Sequence, residues 1–291
     1  MTAATTTPGA RAASVTPAGP TFARLLAAEW TKLTSLRSPW WAAAVTVALA
    51  GAITYLSAQA SSGDPGFEPV GSLASGLLLA QVGPLVLGVL VGAGEFRTGT
   101  FRTTFTLAPR RWPVLAAQVT VLGAFALATG VVATAASAVA LLPSAASRGL
   151  TLDLTADGAP GLMLGMVGYL TGLALLGLAI GALLRRTVPA LVAALFLVLI
   201  LPMVLILASD PMIGGADLSE AAAPTAGTTV TGTLVVLSPG GAGSLMTTAT
   251  SAGPMDGSPD LGPVGGGLVF AAWIAVVLVA AAVRLRARDV R

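Results

Sequence analysis

Six long apolar stretches alternate with polar segments along this chain. A helix needs about 20 apolar residues to cross the hydrocarbon core of a bilayer. The pattern therefore predicts spans near residues 39–58, 72–94, 113–141, 161–184, 188–208 and 265–283. The third stretch is longer than a span requires, so we expect it to tilt or to extend beyond the bilayer. Pro202 interrupts the fifth stretch and predicts a kink there.

The polar start of the chain divides into two parts. Residues 1–19 are mostly Ala, Thr, Pro and Gly, a composition typical of a disordered tail. Over 20–37 a helical period places apolar residues on one stripe, which predicts an amphipathic helix on the membrane surface. Ser38-Pro39 should then turn the chain into a transmembrane domain over 38–291. The stripe consists of Phe22, Leu25, Leu26, Trp30, Leu33 and Leu36.

Glu29 is the one charged residue that falls within this stripe. Two interpretations are open. Glu29 can pair with Lys32 one turn later at the lipid surface. Alternatively, it faces the protein and pairs with a basic residue of the next polar segment.

The largest polar region is the segment over 209–264, which has no basic residue. Within it, residues 234–247 are apolar around a Pro-Gly-Gly break. Fourteen residues are too few to span a bilayer. The pattern favours a re-entrant hairpin or an outer cap before the last span.

The basic residues fall on one side of this pattern. Alternate polar segments hold 14 of the 15 Lys and Arg residues, and the other set holds only Arg148. Basic loops stay in the cytoplasm, so we expect both chain ends on the cytoplasmic face of a plasma membrane. A single lysine among 15 basic residues, with abundant Ala and Gly, indicates a high-GC bacterium. The 14 residues are Arg11, Arg24, Lys32, Arg37, Arg97, Arg102, Arg110, Arg111, Arg185, Arg186, Arg284, Arg286, Arg288 and Arg291.

Composition narrows the function classes. The chain is 55% hydrophobic and 9% charged, whereas soluble domains carry roughly 25% charged residues. The net charge of +3 is spread over several loops, which suits anionic lipid headgroups rather than nucleic acid. There is no Cys or His, and Lys32 is not in a Gly-Lys-Ser/Thr sequence, so a phosphate-binding P-loop is absent. We expect no cofactor on this chain, and any ATP and Mg²⁺ would be bound by a separate polypeptide.

The predicted spans contain no Asp, Glu, Lys or Arg. Ion-coupled transporters usually need such a residue inside the membrane. Gln81 and Gln118 are polar residues that do lie there. We expect them to hydrogen-bond between helices or to line a substrate path.

The second inner segment, over 94–113, has features of a docking surface. Thr100 is placed to cap a short helix that Pro109 would end. Phe101 and Phe105 are four residues apart and would share one face of it. Either the segment is a solvated loop whose arginines bind headgroups, or it packs against a cytoplasmic protein.

The remaining basic clusters are typical of topological anchors. Arg110 and Arg111 precede the third span, and Arg185 and Arg186 form a tight turn between the fourth and fifth. The C-terminal cluster, which begins with Arg284 and Arg286, should act in the same way.

Residues 28–41 (AEWTKLTSLRSPWW) and 94–118 (GEFRTGTFRTTFTLAPRRWPVLAAQ) together resemble the membrane subunits of type-2 ABC exporters, especially short actinobacterial permeases. The SPGGAGSLM stretch and the RLRARD ending agree with this resemblance. It implies a coupling helix near Gly99–Ala108 that docks on a cytoplasmic ATPase, and a second permease copy or a related one. It also implies re-entrant helices at 234–247 and an interface helix that includes Glu29, Trp30 and Lys32. The residues implied to contact the ATPase are Glu95, Arg97, Thr100, Phe101, Arg102 and Phe105.

Three other functions stay open. A secondary transporter or channel would need ionisable residues that the spans lack. A membrane enzyme would have to use carboxylates, and Asp153 and Asp157, four residues apart, would share a face only if they lay on a helix. A scaffold that anchors an ATPase without transport has no distinguishing pattern. The Leu-, Val-, Ala- and Gly-rich spans fit an amphipathic or lipid-like cargo.

Overall fold

The computed structural model describes residues 21–98, 112–155, 158–209, 228–248, 253 and 257–287. Every regular element among them is helical. Six helical segments are long and apolar enough to cross a membrane: Arg37–Ser61, Pro69–Gly94, Trp112–Ser147, Ala159–Leu184, Thr187–Ala208 and Gly262–Leu285. All six predicted spans lie inside these segments, so the helical fold of the described residues and its six apolar helices of spanning length are confirmed.

Eleven α-helices are described in chain order. They are α1 (Phe22–Ser35), α2 (Arg37–Ser61), α3 (Leu77–Ala80), α4 (Val82–Thr98), α5 (Trp112–Ser147), α6 (Ala159–Leu184), α7 (Thr187–Leu195), α8 (Leu201–Ser209), α9 (Val230–Leu237), α10 (Pro239–Leu245) and α11 (Gly262–Ala287). A 3₁₀ turn, Pro69–Ser72, precedes α3, and a π-helical turn, Phe196–Ile200, joins α7 to α8. The second span is thus made by α3 and α4, and the fifth by α7 and α8.

Proline marks the first turn of most of these helices. Backbone N–H groups in the first turn have no acceptor within the helix, so proline, which lacks this group, loses no hydrogen bond there. Its fixed φ also suits the helical backbone. The predicted turn at Ser38-Pro39 is therefore wrong. The chain turns instead at Leu36, which is extended (φ −85°, ψ 145°), and α2 already begins at Arg37. Apart from Pro202 in α8, which a π-helical turn precedes, the prolines in first turns are Pro39, Pro84, Pro113, Pro160, Pro189, Pro239 and Pro263.

The third span extends beyond its predicted end at residue 141. Helix α5 continues through Pro143 to Ser147 and has 36 residues. At 1.5 Å per residue it is about 54 Å long, well beyond the ~30 Å of a hydrocarbon core. Arg148 follows directly, and its guanidinium donates a hydrogen bond to the carbonyl oxygen of Asp64 at 2.8 Å. The one basic residue outside the predicted cytoplasmic set therefore joins two connections at the end of the bundle far from α1.

The fifth span departs from α-geometry at the place where Pro202 predicts a kink. The N–H of Leu201 donates to the carbonyl of Phe196, five residues earlier, as in a π-helix. Pro202 has no N–H to give to the carbonyl of Val198. The widened turn lies directly before the proline.

Helix α6 is the centre of the bundle, and its most extensive contact is with α4. Two glycines on each helix allow this approach. A Cβ at Gly88 or Gly92 would lie 2.0 or 2.2 Å from a carbonyl oxygen of α6. A Cβ at Gly177 or Gly181 would lie 2.3 or 2.7 Å from a carbonyl oxygen of α4. Close backbone packing through small residues is how helices associate where no hydrophobic effect drives them together.

The apolar stretch over 234–247 forms two short helices, α9 and α10, that meet at Ser238. The Ser238 hydroxyl accepts a hydrogen bond from the N–H of Gly241 at 3.1 Å and donates one to the carbonyl of Val235 at 2.6 Å. Helix α10 packs on α11 and on the π-helical turn. A Cβ at Gly240 would lie 2.1 Å from the carbonyl oxygen of Val198, so this end of α10 rests directly on the fifth span.

Candidate functional site

Helix α1 lies against one end of the bundle and buries Glu29 and Leu33 there. It packs mainly on α5 and also contacts α2. Leu33 is buried in an apolar cluster with Leu87 of α4 and Leu122 of α5, and Leu26 packs against the same cluster. Of the rest of the predicted stripe, Leu25 is half-buried, and Phe22, Trp30 and Leu36 are exposed. One edge of the stripe therefore contacts protein, and the other faces outward.

Glu29 matches one part of each interpretation that the sequence left open, whereas a pair with a basic residue of the next polar segment stays a prediction. It is buried against the protein, and its partner is Lys32, whose Nζ lies 2.6 Å from Oε2 and 2.8 Å from Oε1. The Glu29 side chain is 11% exposed and that of Lys32 46% exposed. Removing Lys32 would leave a carboxylate in a poorly solvated place, which is more costly than losing a surface ion pair.

The corner between α1 and α2 is held by Trp40. Its indole N–H donates to the carbonyl of Thr34 at 3.1 Å, which satisfies one of the free carbonyls at the end of α1. Its ring packs edge-on against Phe125 of α5 at 5.6 Å between centroids. The orientation of α1 is therefore fixed by side-chain contacts at both its middle and its end.

Beneath α1 lies a cavity of about 360 Å³, which is called here the α1 cavity. Residues of α1, α4 and α5, with Ser38 and Pro39 of α2 and Thr187 of α7, form its walls. Most of the lining is apolar, and its polar residues are Glu29, Lys32, Ser38, Gln118 and Thr187. The five helices thus border one half-open cavity at the end of the bundle where α1 lies.

The two intramembrane glutamines differ in their partners. Gln81 accepts a hydrogen bond from the Tyr169 hydroxyl of α6 at 2.5 Å, so the predicted interhelical bond is confirmed for this residue. Gln118 lines the α1 cavity, is only 6% exposed, and its Nε2 has no hydrogen-bond partner in the part of the chain that the structure describes. The predicted interhelical bond is therefore not made by that nitrogen.

Most of the predicted ATPase-coupling segment lies outside the described residues. The backbone of Glu95 and Arg97 belongs to the last turns of α4, which ends at Thr98. The segment therefore starts at the end of α4 and finishes at the start of α5, the two helices whose side chains cluster with Leu33 of α1. Residues outside the description are Thr100, Phe101, Arg102, Phe105, Arg110 and Arg111.

Arg185 and Arg284 contact each other's helices. Arg185 ends α6 in the left-handed conformation (φ 59°), which is strained for a residue other than glycine. Its Nη2 donates to the carbonyl of Arg284 at 3.1 Å, and Nη1 of Arg284 donates to the carbonyl of Leu183. Helix C-termini have free carbonyls and favour cations, so each arginine caps the other's helix.

The anchoring role of the basic residues stays a prediction. Arg186 is exposed at the start of α7, where a headgroup contact is sterically open. Arg286 lies near the end of α11, and only its backbone is described. Arg185 and Arg284 have a contact within the protein in addition to any contact with lipid.

Two features of the site were missed by sequence reasoning although the chain carries a signal for one of them. The spacing of Gly88 and Gly92, and of Gly177 and Gly181, is the G-x-x-x-G pattern of packed membrane helices. Tyr169 was not singled out, yet its hydroxyl reaches α3–α4 and its ring lies 5.6 Å from that of Phe270. Only the tertiary structure brings these groups together.

The carboxylates considered for an enzyme are in a connection. Asp153 lies in a loop and accepts hydrogen bonds from the N–H and hydroxyl of Thr155 at 2.8 and 2.6 Å. Asp157 is outside the described residues. Within the described ranges, no three His, Cys, Asp or Glu residues are grouped to hold a metal.

No known protein-family model and no curated protein sequence matches this chain.

Proposed function

We propose that this chain is the membrane subunit of an ABC exporter in a bacterial plasma membrane, with both termini in the cytoplasm. A separate cytoplasmic ATPase would bind and hydrolyse ATP with Mg²⁺, and two permease copies would enclose the pathway. ATP-driven closure of the ATPase would push the segment between α4 and α5 and shift the spans between inward- and outward-open states. The chain itself does no bond chemistry in this proposal.

The observation that carries the proposal is the seating of α1 on the two helices that flank that segment. Leu33 of α1 shares an apolar cluster with Leu87 of α4 and with Val121 and Leu122 of α5. A displacement of the segment therefore reaches the second span, the third span and α1 together. Glu29 would hold α1 in register with them, through its buried position and its pair with Lys32.

The packing of α4 adds a route from this end into the bundle. Because Gly88 and Gly92 bring the backbones of α4 and α6 into contact, the second and fourth spans should move as one body. Arg185 and Arg284 join the end of the fourth span to that of the sixth. A push on α4 would thus be passed to helices that the segment does not touch.

The proposal includes a re-entrant role for α9 and α10. Their break at Ser238 leaves two helices of eight and seven residues, each too short to span a bilayer. Four consecutive residues of α10, Gly240 to Gly243, are buried among α6, α11 and the fifth span. These contacts support a segment that enters the bundle and turns back, and so closes the pathway on the side away from the ATPase.

Two rival functions make different demands. A secondary transporter or proton pump needs an ionisable group at membrane depth, and the six spans have none away from their ends. A scaffold that anchors an ATPase without moving cargo would use the same contacts. Transport assays separate these rivals, since the first works under an ion gradient without ATPase and the second moves nothing.

The test is co-purification of the full chain with the ATPase encoded beside its gene. Phe101→Asp would place a buried charge at the docking surface, and Arg102→Glu would reverse a charge there. Each variant should therefore abolish the complex. Arg148→Glu is the matched control, since it makes the same reversal at the opposite end of the bundle. If both segment variants bind the ATPase as well as the control does and keep ATP-driven transport, the docking assignment is wrong.

A further inference from the structure

The α1 cavity has the size and polarity of a binding site. Its volume of about 360 Å³ falls within the ~300–1,000 Å³ of small-molecule sites. Leu33, Leu87, Val121 and Leu122 line it, and these side chains belong to one apolar cluster. A cavity with such walls favours an apolar ligand over water.

The polar groups of the cavity lie toward one end of it. On α5, Val121 and Leu122 follow Gln118 by three and four residues, so they lie roughly 5–6 Å further from the start of that helix. On α4, Leu87 lies about 10 Å along the axis from Gly94, which is near the end of its helix. The cavity is therefore polar near α1 and apolar deeper in the bundle, the gradient that an amphipathic molecule has in one bilayer leaflet.

Gln118 is the second and independent observation. Its side chain is more than nine-tenths buried, lines the cavity, and has an Nε2 without a hydrogen-bond partner among the described residues. A buried donor without a partner is destabilising, so such groups usually serve a bound ligand or water. A half-turn of the terminal amide exchanges its N and O positions, so its N–H can be turned to an acceptor in the cavity.

The charges that line the cavity restrict the ligand. Among the described residues that line the cavity, the charged side chains are Glu29 and Lys32, whose Oε2 and Nζ atoms lie 2.6 Å apart and which together carry no net charge. A ligand with a net charge would be desolvated beside this pair without a counter-charge of its own, which is unfavourable. A ligand without net charge and with an acceptor oxygen meets no such cost.

We propose that the α1 cavity binds a single-chain amphipathic molecule of no net charge. An acceptor oxygen at its polar end takes the amide N–H of Gln118, and its chain lies between Leu87 and Val121. The proposal does not depend on the exporter function, since helices of this chain form the walls of the cavity. The molecule can enter from the leaflet on the α1 side or from the water at that side, and the chemistry of recognition is the same.

The test uses the full chain in phosphatidylcholine vesicles and a diazirine-bearing lysophosphatidylcholine, which has one chain and no net charge. Photo-labelling should map by mass spectrometry to the segments of α4 and α5 around Leu87 and Val121. Gln118→Leu should reduce this labelling roughly five- to tenfold, the loss expected for one hydrogen bond. Val91→Phe, which fills the cavity, should reduce it at least as much. Gln59→Leu makes the same change as the first variant at the far end of α2 and should leave labelling unchanged.

Stability separates recognition from folding. Because Gln118→Leu removes an unpartnered buried donor, the thermal stability of the unliganded variant should equal or exceed that of the parent. A Gln118→Leu protein that unfolds earlier would show a structural role and overturn the assignment. Two labelling results would also overturn it. One is labelling of Gln118→Leu that equals that of the parent, even if labelling of Val91→Phe falls. The other is labelling that is spread evenly over α7 and α8.

Two further experiments test the net charge of the ligand and the route by which it enters the cavity. A single-chain amine and lysophosphatidylglycerol, one cationic and one anionic, should label the cavity more weakly, and equal labelling by either would overturn the claim of no net charge. A short-chain analogue added from water reports aqueous entry, and the long-chain probe incorporated in the bilayer reports entry from the leaflet. Cavity labelling by either source supports the site, and labelling by neither overturns it.

Discussion

The contact between α4 and α6 gives the sharpest test of the fold. Gly177→Ala adds one methyl group whose carbon would lie 2.3 Å from the carbonyl oxygen of Leu85. Ordinary contact begins near 3.4 Å, so the two helices must separate by about 1 Å. A gap of that size forfeits roughly a quarter to a half of each dispersion contact along the interface. Gly161→Ala on the same helix meets no atom within 4 Å and is the matched control.

The size of the effect is taken as a difference between these two variants. Both replace glycine by alanine in α6 and so share the gain in helix propensity, which is about 1 kcal/mol. Only Gly177→Ala adds the overpacking cost, about 1–3 kcal/mol. We expect Gly177→Ala to be less stable than Gly161→Ala by this amount. Gly181→Ala, with its added carbon at 2.7 Å, should cost less than Gly88→Ala, at 2.0 Å.

The assay exploits the absence of cysteine from the chain. A single cysteine in place of Ala179, which is fully buried on α6, reports unfolding by its reactivity with a thiol reagent. Unfolding is driven by SDS in mixed micelles, and the SDS fraction at the midpoint is compared between variants that carry the same reporter. Equal midpoints for Gly177→Ala and Gly161→Ala would refute the backbone contact between α4 and α6.

Three other outcomes follow from the contacts. In a double-mutant cycle, Tyr169→Phe and Gln81→Leu should couple by about 0.6–1.7 kcal/mol in the same SDS assay, and additivity would contradict their hydrogen bond. Arg185→Gln and Arg284→Gln should each lower the free energy of unfolding by roughly 0.5–2 kcal/mol, because each removes a hydrogen bond to a free carbonyl of the other arginine's helix, and no loss in either variant would argue against the caps. Ser238→Ala should cost about 0.5–2 kcal/mol and speed protease cleavage at the junction of α9 and α10, whereas an unchanged cleavage rate would count against the cap.

Hydropathy alone was enough to predict the six spans, because a bilayer demands long apolar helices wherever the chain crosses it. Boundaries were less accurate. Ser38-Pro39 was interpreted as a turn, although proline in a first turn costs a helix nothing. Helix α5 passes Pro143 because Ser144 and its neighbours remain packed in the bundle. The first of these errors came from treating Pro39 as a turn residue although it lies in a first turn.

The candidate site was predictable only in part. Periodicity placed Glu29 within the apolar stripe of α1, but it could not decide whether that stripe faces lipid or the rest of the protein. That choice depends on where α5 lies, which is a tertiary fact. The α1 cavity and the unpartnered amide of Gln118 arise from five helices meeting, and no single stretch of sequence encodes them. The G-x-x-x-G pairs, by contrast, were readable along the chain.

The π-helical turn at Phe196–Ile200 changes which residues of the fifth span are neighbours. One residue more than an α-helical turn requires is accommodated there, so the faces of α7 and α8 are offset by about 100°. Positions that a regular heptad or 3.6-residue pattern would align across this point lie on different sides of the span. Removing one residue between Phe196 and Ile200 would restore a continuous helix and rotate α8 relative to α7. Gly240 would then meet a different carbonyl from that of Val198, and the seat of α10 on the fifth span would be lost.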